Sequence, residues 1–157
     1  MNFPDDHGCE IYEGDANAIG AAIAAFDWQA LRNGTAAHSF VGFPRFISGY
    51  YFDWLAEAVA TVLNKPEAPD AGFRTVAGED GHWGAGVLSK DWVAAVASVP
   101  TKDIGHLGRL WRDAYLQQGY DELEDWPEDQ LLDSLHQLTF LCMEALNRDA
   151  DVVLLVI

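Results

Sequence analysis

Along much of the chain apolar residues return every three or four positions, the spacing that keeps them on one side of a helix. Asp15 is placed to cap a helix running to about Leu31, with Ile19, Ile23, Phe26 and Ala30 on one face and Gly34 ending it. Pro44 opens a second helix to about Asn64, in which Ile47, Tyr51, Trp54, Leu55, Ala58 and Val62 recur, and Lys65-Pro66 stops it. Ser89 caps a short helix through Trp92, Val93 and Val96 that ends before Pro100. Thr101 caps the next, which carries Ile104, Leu107, Trp111 and Ala114. A long last helix begins near Pro127. Its inward stripe is Leu131, Leu135, Leu138, Cys142 and Ala145, widened by Leu132, Leu141 and Leu146.

Extended chain is predicted in fewer places. Ser39–Phe43 is a short candidate. Phe73–Ala77 is another, inside a turn-rich segment from Glu67 to Val87 that holds Pro69, Gly72, Gly78, Gly81, Gly84 and Gly86. After a break at Asn147 to Asp151 the chain closes on Val152-Val-Leu-Leu-Val-Ile157, an unbroken apolar run that reads as a strand buried on both faces. Such a strand needs partners, expected from the N-terminal residues, Ser39–Phe43 or Phe73–Ala77. The pattern as a whole predicts an α+β fold. It is one mainly helical domain over residues 1–157, with about five helices around a small β-sheet that includes the C-terminal strand.

Composition adds a strong bias. Half of the 157 residues are apolar and 12% are aromatic, enough to build a core. Against this stand 25 acids and only 9 bases, a formal charge of −16. That field repels nucleic acid and anionic membranes and draws in cationic partners, so neither nucleic acid nor membrane is expected as a partner. The opening MNFPDDHG is acidic and lacks the apolar stretch of a signal peptide. No apolar run approaches the roughly 18 residues that span a bilayer. The expectation is a cytoplasmic protein with Cys9 and Cys142 reduced, Cys142 buried in its apolar helix, and an idle sequon at Asn33-Gly-Thr35.

Few residues suggest chemistry. The turn Gly78-Glu-Asp-Gly-His-Trp-Gly-Ala-Gly86 lacks the Lys-Ser/Thr ending of a phosphate loop, and Glu79 and Asp80 repel phosphate. It is read as a turn presenting His82 and Trp83 to a partner, with a buried Trp83 as the plainer alternative. Asp5-Asp6-His7-Gly8-Cys9-Glu10 groups possible metal ligands, but no second cluster stands at zinc spacing. No Gly-x-Ser-x-Gly elbow occurs, and the acids around Cys9 are expected to raise its thiol pKa rather than activate it. Asp53 and Glu57 read as a solvated face, and His106 and His136 as hydrogen-bonded structural histidines. Lys90, Lys102, Arg109 and Arg112 form the one net-positive span, suited to pairing with the chain's own acids. No catalytic residue, metal or cofactor is expected. An enzyme would require a pocket gathering two or more of His7, His38, His82, His106 and His136.

The sharpest feature is Gly119-Tyr-Asp-Glu-Leu-Glu-Asp-Trp-Pro-Glu-Asp-Gln130, with six carboxylates and no base. Asp125 as N-cap with Glu128 three residues on would make a capping box, and Pro127 suits a first turn. Glu128 and Asp129 then favour the positive end of the helix, by about 0.3–1 kcal/mol each. Asp121, Glu122 and Glu124 have no such local reason. With Tyr120 and Trp126 as aromatic anchors, they make a candidate docking patch for a cationic protein, with Trp126 packed inward as a hydrophobic staple as the plainer alternative.

Gly81-His-Trp-Gly-Ala-Gly-Val-Leu-Ser-Lys-Asp-Trp-Val-Ala-Ala-Val-Ala-Ser-Val99 is similar to a segment of the YfbM-like family of bacterial proteins. There a Gly-rich aromatic turn leads to a short strand and then to a Ser/Thr-capped helix. The closing helix and strand, Leu135 to Ile157, fit the same pattern. The resemblance covers the last half of the chain, and it implies a housekeeping domain of unknown ligand with no catalytic residue to carry over. In general character the chain also resembles immunity proteins of bacterial toxin–immunity systems, which are small, acidic and without catalytic motifs. That resemblance implies a protein that neutralises a cationic toxin domain, a nuclease for example, by covering its active site.

Overall fold

The computed structural model describes residues 7–44, 47, 50–80 and 82–157, without the side chains of His7, Tyr50, Tyr51, Glu122 and Leu123. Five antiparallel strands form one sheet: β1 (His7–Gly14), β2 (Ala37–Pro44), β3 (Arg74–Glu79), β4 (Trp83–Val87) and β5 (Asp151–Val156). Their order is β2-β1-β5-β4-β3, so the C-terminal strand lies at the centre. It pairs with β1 from Cys9↔Val156 to Gly14↔Asp151 and with β4 from Gly84↔Val156 to Val87↔Val153.

Alternation along the strands creates two hydrophobic layers. Cys9, Ile11, Val41, Phe43, Val152 and Leu154 face one side, and Tyr12, Ala37, Ala85, Val153 and Leu155 the other. The first side is covered by α3 (Tyr50–Val62), α4 (Lys90–Ala97), α5 (Ile104–Gln117) and α6 (Glu128–Arg148). The second is covered by α1 (Ala16–Ala24) and α2 (Trp28–Arg32). Because β5 meets apolar side chains on both faces, its sequence shows no alternation. The α+β architecture, the helical majority and the closing strand are as the sequence predicts.

Several boundaries differ, each for a local reason. The expected helix from Asp15 to Leu31 is two helices. Asp15 caps the first, accepting from the Ala18 N–H at 2.9 Å. Phe26 then turns left-handed (φ 54), and Asp27 caps the second through the Ala30 N–H at 3.1 Å. Pro44 ends β2 instead of opening a helix, and Ile47 is buried outside α3. Thr101 makes no cap bond; it begins a 3-10 turn, Thr101–Asp103, that leads into α5. Tyr115, not Ala114, completes the buried stripe of α5. The turn-rich segment holds a hairpin, β3–β4, whose second strand the glycines disguise. One of them, Gly86, lies under the Phe73 ring, which a Cβ would meet at 2.7 Å. Ser89 caps α4 as expected, accepting from the Trp92 N–H at 3.1 Å.

Candidate functional site

The acidic segment is a short turn set on an aromatic base. At the end of α5, Gly119 adopts a left-handed conformation (φ 85), and the Tyr120 N–H returns to the Tyr115 carbonyl at 3.2 Å. A 3-10 turn, Asp121–Asp125, follows. Tyr120 packs on Trp54 with ring centroids 5.7 Å apart, and Trp54 packs on Tyr115 at 5.4 Å. On the far side Trp126 is buried edge-on against Trp111 at 6.1 Å, and Trp111 meets Phe43 of the sheet at 6.0 Å. Arg112 donates from Nη2 to the Glu124 carbonyl at 3.2 Å. Both ends of the turn are therefore rooted in the core, and its described carboxylates are exposed. Asp121, Glu124 and Asp125 are exposed, as are Glu128 and Asp129 at the start of α6. The side chain of Glu122 lies outside the described residues.

The geometry reassigns some of these residues. The N-cap of α6 is Pro127, with no side-chain cap bond, so Asp125 is not half of a capping box. Glu128 and Asp129 still occupy the first turn, where the helix dipole favours them. Trp126, 4% exposed, anchors the turn from below and is not offered to a partner. The aromatic on the surface is Tyr120, 39% exposed.

The second candidate group lies elsewhere. Glu79, Asp80 and His82 are exposed at the β3–β4 hairpin, where the His82 N–H meets the Glu79 carbonyl at 3.0 Å. Trp83 is half-buried, set edge-on to Phe26 at 5.7 Å within the α1–α2 layer. The acidic turn contacts α5 on the opposite layer, so the fold keeps the two groups apart.

Two carboxylates are buried: Glu10, which the sequence groups with possible metal ligands, and Glu13, to which it gives no role of its own. Glu10 and Glu13 on β1 are both 0% exposed and face opposite sides of the sheet. Glu10 receives Arg32 Nη2 at 2.7 Å and the Tyr12 hydroxyl, while Arg32 lies over the Phe40 ring at 4.8 Å. Burial, then the neighbouring Glu10 carboxylate, pushes the Tyr12 phenol up. Glu13 faces α6 and pairs with Arg148 at 3.4 Å; Arg148 also reaches Glu144 at 3.1 Å. The available signal was Arg148 itself, the lone base among eleven acids between Asp113 and Asp151.

The remaining candidates are dispersed. His38, His82, His106 and His136 are all exposed, so His106 and His136 are surface residues rather than structural ones. One cleft, between α5 and α6, is lined by Arg109, Arg112, Asp113 and Glu128, another by Lys65, Glu67 and Asp91, and neither takes in a histidine. Lys90 donates to the Ala150 carbonyl at 2.9 Å and stands 3.8 Å from Asp149, so part of the basic span does serve the chain's own groups. Asp53 and Glu57 lie on the solvated face of α3. Among the described residues no group of three or more His, Cys, Asp and Glu is arranged to hold a metal ion. Asp5 and Asp6 lie outside those residues. Cys9 and Cys142 are buried free thiols. Burial, not the neighbouring acids, pushes the Cys9 thiol up to about 12, and burial likewise raises Cys142. Among the described residues no helix is long and apolar enough to cross a membrane.

No protein-family model matches the chain, and a search of curated proteins finds no match. Among solved structures the chain is similar to a protein of unknown function, YfbM from Escherichia coli. The TM-score is 0.45 at 12% sequence identity, and the match covers 95% of this chain and 99% of that one. None of these comparisons supports the general likeness to immunity proteins.

Proposed function

We propose that the chain is a non-enzymatic binding protein that engages a cationic protein domain through the acidic turn at Asp121–Asp125 and the exposed edge of Tyr120. The observation that carries this reading is the turn's construction. Asp121, Glu124 and Asp125 are exposed on a segment that Tyr120, Trp126 and Arg112 tie to the core. A patch that is already ordered spends little entropy on docking. Its field, backed by the net charge of −16, speeds encounter with a basic partner by roughly 10- to 1000-fold. A bacterial toxin domain kept inactive by occlusion of its basic active site is the partner class such a surface would serve best.

A pull-down from the source cells at low and at high salt tests the reading. One basic protein should be captured at low salt and lost at high salt, because exposed charge pairs are screened. The variant Asp121→Lys/Glu122→Lys/Glu124→Lys should fold normally by circular dichroism and fail to capture it. Capture undiminished in that variant overturns the proposal.

A further inference from the structure

We propose that the outward face of α6 is the apolar half of the same docking surface, and that it receives a cationic amphipathic segment of the partner. The proposal rests on the reading above for the partner's charge. What is new is the apolar contact.

The helix α6 is apolar over more of its circumference than its packing uses. Leu131, Leu135, Leu138, Leu141, Cys142 and Ala145 bury one side completely. Phe140, Met143 and Leu146 fall outside that stripe at i, i+3 spacing and are 63%, 46% and 43% exposed. Three large side chains in successive turns make a patch, not a scatter of single apolar residues, and such patches mark contact sites. Met adds a side chain that adapts to an irregular partner.

Helical spacing carries the same face back toward the acidic turn. Asp129, Asp133, His136, Phe140 and Met143 follow one another at steps of three or four and are all exposed. Along its 21 residues, about 31 Å at 1.5 Å per residue, the face passes from acids to apolar groups. Only Trp126 and Pro127 separate the helix from the 3-10 turn that carries Asp121 and Glu124. The complement is a segment with basic residues at one end and apolar ones at the other. A second copy of this chain is a poor occupant, because two bodies of charge −16 repel one another, and an anionic lipid surface is disfavoured on the same ground.

Two synthetic peptides of equal length and equal positive charge test the inference. One has Lys and Leu at helical amphipathic spacing, the other Lys and Ser. Titration calorimetry at low salt should show the Lys/Leu peptide binding at least about tenfold tighter, a modest apolar contribution on the affinity scale. Phe140→Ser/Met143→Ser, checked for folding by circular dichroism, should erase that advantage and leave Lys/Ser binding unchanged. Asp121→Lys/Glu124→Lys should weaken both peptides. Equal affinities, or an advantage that survives Phe140→Ser/Met143→Ser, overturn the apolar contact while leaving the charge reading intact. Failure of both peptides to bind overturns the two readings together. A dimer of the chain that Phe140→Ser/Met143→Ser dissociates makes a second copy the occupant and also overturns the proposal.

Discussion

Glu10 and Glu13 lie three residues apart, yet their different settings imply different energies. Glu10 is wholly buried beneath Arg32, whose side chain is 25% exposed, at 2.7 Å. Removing Arg32 takes away the ion-pair partner of a buried carboxylate that still receives the Tyr12 hydroxyl. Arg32→Ala is therefore expected to cost about 3–5 kcal/mol, at most, in urea unfolding. Arg148 is 47% exposed and stands 3.4 Å from Glu13. Water already screens that pair, so Arg148→Ala should cost clearly less in the same measurement. Equal losses would mean that Arg32 is not compensating a buried charge. From sequence, Glu10 reads as one of a polar group of possible metal ligands and Glu13 as an acid near Cys9, with nothing to mark either as buried. The alternation that buries them is masked because β1 is covered on both faces.

At the scale of elements, close approach decides which substitutions the sheet tolerates. Gly20 of α1 rests on β3, where an added Cβ would lie 3.1 Å from Val76 Cβ and 3.2 Å from its carbonyl oxygen. Gly20→Leu should lift α1 off the sheet and destabilise by about 1–3 kcal/mol. Gly84 of β4 has nothing within 4 Å of an added Cβ, so Gly84→Ala should leave the thermal midpoint nearly unchanged. A matched loss at both glycines would show that backbone freedom, not contact, is what these positions require. The same packing explains the boundary differences. The apolar period runs on past Ala24, but Phe26 turns left-handed to set its ring against Trp28 and Trp83. That contact across the layer divides a pattern that reads locally as one helix.

Over the whole molecule the charge imbalance works against compactness. A body of charge −16 repels itself, and salt relieves that repulsion. The thermal midpoint should therefore rise as salt is added from a low starting level, while affinity for a basic partner falls. A midpoint that does not move with salt would show that the acids are too dispersed to repel. The acidic turn joins the two behaviours, because Asp121, Glu124 and Asp125 stay outward only while aromatic packing from Phe43 through Trp111 to Trp126 holds the segment in place.

The sequence by itself determined the α+β class, the helical stripes of α4, α5 and α6 apart from Ala114 and the exposed Leu146, the closing strand and the sign of the surface field. These depend on local period, capping residues and charge totals, which act over a few residues or over the whole chain. The tertiary structure alone decided that β5 sits between β1 and β4 and that Trp126 faces inward while Tyr120 reaches the surface. It also decided that the acidic turn and the hairpin at His82 lie in different layers, and that Glu10 and Glu13 are buried opposite arginines. Each depends on contacts between residues distant in the chain, where the same apolar or acidic residue serves equally well inside or outside. The neighbour supplied by the fold, not the residue type, sets the outcome.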